Sequence, residues 1–422
     1  MKFNSKRTLL IGLAFMSISA FWQMYDTIIP LILKDTFYMK ETITGVIMAA
    51  DNVLALFLLP FFGALSDKID TRIGKRMPFI LVGTTLSVIF LMILPVADKS
   101  QNLVLFVVTL FMLLISLGLY RSPAVALMPD LTPKPLRSKG NAIINLMGAV
   151  GGVYALIMIK TLVGNGLRPD YTPLFLSIAG LMVICVLILF STIKEKKLRL
   201  VIEEDDATIA DGPKSTADLP KDVKKSLLFL LASISLWFIA YNAVTTAFSR
   251  YATHVWEIQN GAYANSLIVS TVCAIISYIP IGLISSKIGR KKTILIGVSM
   301  LILCYLCAGF YGTYHFTMNI FFGLIGFAWA AINVNSLPMV VEISTASDVG
   351  RYTGYYYTFS MAAQVVTPIL SGFLLEHVSY HTLFPYAVLF SGLAFITMLF
   401  VKHGDSKPEK KETVLDHFDV ED

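Results

Sequence analysis

Two aspartates stand inside long apolar runs, Asp26 in "SISAFWQMYDTIIPLIL" and Asp51 in "GVIMAADNVLALFLL". An ionised carboxylate is costly in hydrocarbon, so burial favours the neutral, protonated form. Such a group can take up a proton in one environment and release it in another. The chemistry that these residues offer is therefore proton binding, and Asp26 and Asp51 are the candidate coupling residues.

Polar and aromatic side chains accompany Asp26 at helical spacing. Ser19, Trp22, Gln23, Asp26 and Pro30 fall at i, i+3, i+4, i+7 and i+11, which makes one stripe on an otherwise apolar helix. An aromatic face beside hydrogen-bonding groups suits the apolar face and hydroxyls of a sugar. The alternative is that Trp22 only packs against neighbouring helices.

Further candidates for substrate binding lie in other apolar runs. Asn52 follows Asp51, and Arg121 needs an acidic or backbone partner, which Asp51 or Asp26 could provide. A purely structural ion pair at Arg121 is an equal alternative. Tyr357 and Gln364 belong to a comparable polar stripe on the eleventh helix. The remaining candidates, for which helix–helix hydrogen bonding is the alternative role, are Tyr241, Asn242, Asn333 and Asn335.

The elements that must position these residues are membrane-spanning helices. The chain has 422 residues, of which 56% are hydrophobic and 15% charged, far from the balance of a soluble domain. Runs long enough to cross about 30 Å of hydrocarbon number twelve. They cover 8–33, 42–66, 77–97, 102–128, 139–163, 172–193, 226–249, 262–286, 293–312, 316–341, 352–376 and 381–401.

The fold class predicted is an all-α membrane protein of two six-helix halves. The halves are 1–193 and 226–401, separated by a polar linker at 194–225 and followed by a tail at 402–422. With the N-terminus inside, 27 of the 34 lysine and arginine residues fall on the cytoplasmic side and five on the external side. This asymmetry predicts cytoplasmic termini and a cytoplasmic linker.

Composition and motifs exclude other classes. The charge of +6 comes from short clusters between apolar runs, so nucleic acid is not an expected partner. The four cysteines lie in apolar runs without polar metal ligands. No nucleophile, metal-ligand set or nucleotide loop is visible, and we expect a protein that is not an enzyme and has no cofactor or metal.

A charge cluster occurs once in each half. "GALSDKIDTRIGKRMPF" begins at Gly63, and "GLISSKIGRKKTILI" begins at Gly282, each between the second and third helix of its half. A second pair follows the fourth and tenth helices, where Asp130 precedes Arg137 and Glu342 precedes Arg351. Two related halves are typical of transporters built from a parallel repeat.

The first cluster resembles the loop 2–3 signature of the major facilitator superfamily. Its longer form is similar to that of the sucrose–proton symporters and the glycoside–pentoside–hexuronide:cation symporters. The resemblance implies a cytoplasmic gating motif formed by Gly63, Asp67, Arg72, Gly74, Lys75 and Arg76, with Asp130, Arg137, Glu342 and Arg351 as the second set. The second copy has Ser286 at the position of Asp67, so the first copy is expected to make the stronger charge interaction.

The same resemblance bears on the coupling ion. The glycoside symporters carry two acids one turn apart on helix 2 for a metal cation. Here the turns after Asp51 offer Ala55 and Leu59. This difference favours a proton over sodium.

Small residues in "GAVGG" predict a close helix contact. Gly148 and Gly152 have the small-xxx-small spacing that lets two helices approach. We interpret this stretch as a packing seam between the two halves.

The expected function is secondary active transport by alternating access, with proton-coupled import of a sugar such as a glycoside or disaccharide. The alternatives are transport or export of another small solute, and a transport-dead membrane sensor or binding protein on the same fold. The expected partners are the substrate, the proton and the lipid bilayer. We expect the chain to lie in the cell membrane and to work as a monomer.

Overall fold

The computed structural model describes residues 5–132, 137–164, 168–198, 220–258, 261–343 and 349–405. Within these ranges the chain is helical apart from short turns and one isolated bridge between Thr71 and Gly74. Twelve long helices, α1 to α12, cover Ser5–Asp35, Glu41–Lys68, Met77–Lys99, Leu103–Asp130, Arg137–Leu162, Thr172–Thr192, Lys221–His254, Ala264–Ile288, Arg290–Gly309, Met318–Glu342, Val349–His377 and Leu383–Leu399.

Every predicted span corresponds to one of these helices. Twelve helices in the described ranges are long and apolar enough to cross a membrane. Most ends agree to within a few residues because an apolar run of about 20 residues has little freedom in a bilayer. The all-α membrane fold is thus confirmed.

The largest difference is at α7. This helix begins at Lys221, directly after Pro220, and ends at His254, five residues beyond each predicted end. Its first turn is charged, so it gave no apolar signal and was placed in the linker. The rest of the predicted linker, 199–219, and the tail from 406 onward lie outside the described residues.

The chain forms two compact units. The first contains 1–39, 50–210 and 259–264, and the second contains 40–49, 211–258 and 265–422. The beginning of α2 therefore groups with the second unit and the remainder of that helix with the first. The sequence-based division into two halves did not predict this sharing of α2. The boundaries of the predicted linker, 194–225, stay a prediction.

Within the first unit, α1 packs closely against α5. A Cβ atom on Gly151 would lie 1.9 Å from the carbonyl oxygen of Met16, and one on Gly148 would lie 2.9 Å from Ser19 Oγ. A Cβ on Gly152 would make only an ordinary contact, 3.8 Å from Gln23 Oε1. The expected seam exists, but it joins two helices of one unit, and Gly151 is its tightest point.

Substitution of Gly151 by Ala is expected to lower the thermal unfolding temperature of the detergent-solubilised protein. The methyl group must push α1 and α5 apart, and overpacking of this kind costs about 1–3 kcal/mol. Gly180→Ala in α6 is the matched control, because its Cβ meets nothing within 4 Å. Equal unfolding temperatures for the two variants would contradict the seam.

Candidate functional site

The central site of the first unit is built on α1, α2 and α4. Ser17 of α1 and Tyr120 of α4 are hydrogen-bonded at 2.7 Å, and the Tyr120 hydroxyl also donates to the Ala14 carbonyl at 3.1 Å. This contact fixes the register of α4 against α1. It brings Arg121, the next residue on α4, to Trp22, with the guanidinium carbon 5.6 Å from the centre of the indole ring.

Asp26 and Asp51 lie close enough to repel each other when both are charged. Asp51 accepts a hydrogen bond of 2.8 Å from Asn52 Nδ2, and Arg121 acts on it through its positive charge. The charge that acts on Asp26 is that of Asp51. The two carboxyl groups are both half-buried but differ in the neighbours that can stabilise a charge.

The rest of the α1 stripe is arranged as its spacing predicts. Ser19, Trp22, Gln23 and Asp26 are half-buried, while the residues between them are buried. Gln23 Nε2 donates to Thr27 Oγ1 at 3.3 Å, which holds the amide along the helix. Pro30 is buried and does not share the exposure of the other four.

Tyr25 is a residue that the sequence reasoning missed. Its side chain is fully buried, packs edge-on against Trp22 with ring centres 5.4 Å apart, and interacts with the charges of Asp51 and Asp26. Its hydroxyl has no hydrogen-bond partner among the described residues. An unpaired buried hydroxyl costs about 1–3 kcal/mol, which is unusual enough to need an explanation.

The candidates of the second unit centre on an aromatic stack. Tyr241 of α7 lies flat on Trp329 of α10, with centroids 3.7 Å apart and planes inclined by 5°, and Phe238 packs edge-on against the same indole. Both stacked rings are half-buried. The sequence selected Tyr241 but not Trp329, because one tryptophan in an apolar helix carries no distinguishing signal.

The polar candidates of this unit divide by burial. Asn242, Tyr357 and Gln364 are half-buried. Asn333 is only 5% exposed, and Asn335 is buried and donates to the Ala331 carbonyl of its own helix at 2.9 Å. The substrate-binding role of these two asparagines stays a prediction.

Where α2 is joined to α3 in the first unit, Arg76 is the centre of a charge cluster. Its guanidinium donates to Asp130 Oδ2 at 2.8 Å, to Asp67 and to Ser66, and more weakly to the Gly63 carbonyl at 3.4 Å. Burial would lower the pKa of Arg76, but the hydrogen bonds and charges of Asp130 and Asp67 together raise it. The side chain is held in place as a permanent cation.

The backbone next to Arg76 is held by Glu195, another residue that the sequence reasoning missed. The Glu195 carboxylate accepts the N–H groups of Lys75 at 2.7 Å, Arg76 at 2.9 Å and Met77 at 2.8 Å, at the start of α3. Gly74 has φ +126°, and a Cβ there would lie 2.2 Å from Glu195 Oε2. Glycine is therefore required both by the backbone conformation and by the carboxylate.

The second unit repeats this arrangement with different residues. Arg290 pairs with Glu342, and Asp405 Oδ1 accepts the N–H of Lys291 at 2.8 Å beside Gly289, which has φ +94°. Glu195 and Asp405 each follow the last helix of their half. The side chains of Arg137, Ser286 and Arg351 lie outside the described residues, so their expected roles stay predictions.

Substitution of Arg76 by Gln is expected to slow interconversion and to lower stability by about 2 kcal/mol, since the charged hydrogen bonds of a buried guanidinium to two carboxylates are lost. Arg72→Gln is the matched control in the same loop, because Arg72 is exposed and makes no ion pair within the described ranges. Thermal unfolding and the exchange rate of labelled solute would be measured for both variants. Equal behaviour would remove Arg76 from the gating set.

A second cluster, at the start of α2 in the second unit, consists of Glu41, Arg250, Glu376 and Tyr380. Arg250 Nε lies 3.4 Å from Glu41 Oε2, and both side chains are almost fully buried. The Tyr380 hydroxyl donates to Glu41, and Glu376 Oε2 accepts the Thr42 N–H at 2.9 Å. Arg250 was counted among the external loop charges, but it lies inside α7 because Glu41 provides its counter-charge.

Two glycines let the start of α2 approach the end of α11 at this cluster. A Cβ on Gly45 would lie 2.1 Å from the Pro368 carbonyl oxygen, and one on Gly372 would lie 2.5 Å from that of Glu41. Each glycine thus faces the backbone of the other helix. The first turns of α2 are held to α11 by close packing as well as by charge.

The twelve spanning helices and this repeat define a multi-pass membrane transporter of the major facilitator fold. Residues 10–349 match the profile of the MFS/sugar transport protein family, and the chain belongs to that family. Transporters of this fold bind and move solutes, and the family is not one of enzymes. The similarity to the sugar-transporting branch, inferred from the loop signature, is confirmed at the level of the family.

Individual relatives are distant. The sucrose transport protein SUC3 of Arabidopsis thaliana is 25% identical over 137 residues, 28% of this chain and 23% of that protein. The chain thus matches about a quarter of SUC3. The multidrug resistance protein MdtG of Salmonella schwarzengrund is 23% identical over 338 residues, 78% of this chain and 77% of its own.

Solved structures show the same fold at low identity. The nucleoside transporter NupG superposes with a TM-score of 0.71 at 15% identity, covering 94% of this chain and 100% of its own. A POT family transporter in complex with 5-aminolevulinic acid gives 0.72 at 12% identity, covering 94% of this chain and 95% of its own. These likenesses concern the fold alone.

Proposed function

We propose that the protein is a proton-coupled sugar transporter that works by alternating access. The observation that carries the proposal is the pair of half-buried carboxyl groups, Asp26 and Asp51, beside Arg121 and Trp22. Two carboxylates that repel each other in a poorly hydrated site resist ionising together, so the pair is suited to hold one exchangeable proton.

The division of duties follows from the neighbours of each carboxyl group. Asp51 is the proposed proton site, and Asn52 and Arg121 stabilise its charged form after the proton leaves. Asp26 shares its helix face with Trp22 and Gln23 and is the proposed acceptor for substrate hydroxyl groups. Arg121, held over the Trp22 ring, links the two, because it contacts the aromatic surface and acts on Asp51.

A sugar is the proposed substrate because each unit offers an aromatic surface next to hydrogen-bonding groups. Trp22 lies beside Gln23 in the first unit, and the Tyr241–Trp329 stack lies beside Asn242 in the second. Sugars bind to such surfaces through their apolar C–H faces, while their hydroxyls bond to amides and carboxylates. The names of two distant relatives, SUC3 and a general alpha-glucoside permease of Schizosaccharomyces pombe, agree with this class.

A second candidate is transport or export of a different solute. It is favoured by the similarity to MdtG, a multidrug resistance protein, over 78% of this chain. An aromatic surface with a carboxylate also binds amphipathic cations. We place the termini in the cytoplasm and the protein in the cell membrane as a monomer, on the asymmetry of basic residues and on the fold.

Reconstituted vesicles separate these candidates. Uptake of a panel of glycosides and disaccharides, a nucleoside and a lipophilic cation would be measured with and without an imposed pH gradient. The proposal expects accumulation of one or more sugars only with the gradient. Accumulation of the cation alone would establish the second candidate, and binding of any solute without transport would identify a sensor.

A further inference from the structure

Tyr25 places a hydrogen-bond donor beside the two carboxyl groups without using it. The side chain is fully buried, and the hydroxyl oxygen has no partner among the described residues. In the same unit the buried Tyr120 hydroxyl bonds to Ser17 and Ala14, whereas the buried Tyr263 hydroxyl, like that of Tyr25, has no partner among the described residues. An unused donor at this position points to a partner that is present in only part of the transport cycle.

In the part of the chain that the structure describes, the charges that act on the Tyr25 hydroxyl come from α1 and α2. Asp51 on α2 and Asp26 on α1 itself interact with it, and Arg121 on α4 faces the neighbouring Trp22 ring. On the other helices packed against α1, Tyr120 bonds to Ser17, Tyr154 bonds to Ser177 and Asp130 pairs with Arg76, while Cys185 acts on Tyr120 and Lys160 is exposed. Within the described residues, the charged acceptors that act on Tyr25 are the carboxyl groups of Asp51 and Asp26.

We infer that Tyr25 is a positioning residue for the proton site, and that its hydroxyl donates a hydrogen bond to whichever carboxylate of Asp26 and Asp51 has lost its proton. The phenol keeps its own proton throughout. Its hydrogen bond to a protonated, neutral carboxyl group is weak, whereas its hydrogen bond to a carboxylate anion is strong. This inference rests on the proposed proton coupling and adds a third residue to it.

The ring contacts make the hydroxyl well suited to this task. Tyr25 is fixed between Phe21, at a centroid distance of 5.9 Å, and Trp22, at 5.4 Å, so the hydroxyl cannot move far from the carboxyl groups. Trp22 contacts both Arg121 and Tyr25. A substrate that displaces the indole would therefore also shift the Tyr25 ring. Binding of substrate at Trp22 would then alter binding of the proton, through the contact between Trp22 and Tyr25.

Tyr25→Phe tests the inference by removing only the hydroxyl. Loss of a donor that stabilises the ionised carboxylate makes the proton harder to release, so the midpoint of the pH dependence of counterflow should move up by about one pH unit. A fluorinated tyrosine incorporated at position 25 is a stronger donor and should move the midpoint down. Tyr154→Phe is the matched control, because its hydroxyl bonds to Ser177 Oγ at 2.7 Å outside the proposed site, and it is expected to leave the midpoint unchanged.

Opposite shifts for the two Tyr25 variants support the inference. An unchanged midpoint in both, or a change in substrate KM without a shift, overturns it and assigns Tyr25 to packing or to substrate binding. Wild-type protein is measured in parallel for uptake driven by a pH gradient. If wild type shows no such uptake, the proposed coupling itself fails, and this result is distinct from failure of the Tyr25 role.

Discussion

Substitution of Asp51 by Asn is expected to abolish accumulation of substrate against its gradient while substrate exchange continues. The amide cannot bind and release a proton, so the free energy of the pH gradient is no longer linked to movement of solute. With one proton per solute, a gradient of one pH unit supports about tenfold accumulation. With this variant, the substrate concentration should become equal inside and outside the vesicles.

The measurement is uphill uptake together with counterflow in reconstituted vesicles. Asp26→Asn is expected to weaken both activities, because Asp26 is the proposed substrate ligand. Asp98→Asn is the control, since Asp98 is a buried carboxyl at the end of α3, outside the proposed site. Should the Asp51 and Asp26 variants both accumulate substrate in response to the pH gradient, neither is the coupling residue.

Substitution of Arg250 by Met is expected to have the largest effect on stability. Removal of one partner of a buried ion pair leaves an uncompensated charge and costs about 3–5 kcal/mol. Glu41 is then the buried charge, and the start of α2 should separate from α7 and α11. A cysteine at Thr42 should become accessible to an impermeant thiol reagent, in a background that lacks the four native cysteines.

Two further variants make this test specific. The double variant Glu41→Gln with Arg250→Met removes both charges and should recover most of the lost stability. Arg168→Met is the control, because Arg168 is exposed and its guanidinium carbon lies 5.2 Å from the ring of the exposed Tyr38. If the double variant is as unstable as the single one, packing rather than charge holds α2 at this point.

The helices could be predicted because each is a long apolar run in which no other structure satisfies the backbone. The start of α7 could not, since its charged first turn resembles the linker before it. The GAVGG stretch predicted a close contact correctly but neither its partner nor its tightest residue. Glycine spacing carries no information about which helix lies opposite.

Candidate site residues could be predicted where an ionisable residue stands inside an apolar run, because its burial in hydrocarbon is costly. This rule found Asp26, Asp51 and Arg121. It could not rank Arg76 above Arg72, because the two look alike in sequence and differ only in the carboxylates that surround them. Glu195 stands among Lys194, Lys196 and Lys197 in a polar segment, where a single acidic residue gives no signal of a specific role.

The ion pair between Glu41 and Arg250 was missed for a related reason. Glu41 and Arg250 lie far apart in the chain, and each looks like an ordinary charge at a helix end. Tyr25 was missed because a buried tyrosine next to a polar stripe is usually core. Its unpaired hydroxyl becomes visible only when the neighbouring atoms are placed.

The sharing of α2 between the two units has a thermodynamic consequence. Glu41 and Asp51 lie about 15 Å apart on one stretch of helix, which no proline interrupts before Pro60. If proton binding at Asp51 alters the strength of the Glu41–Arg250 pair, reciprocity requires that pair to alter the proton affinity of Asp51 by the same factor. Glu41 and Arg250, which do not bind the proton, would then help to set the pH at which the transporter works.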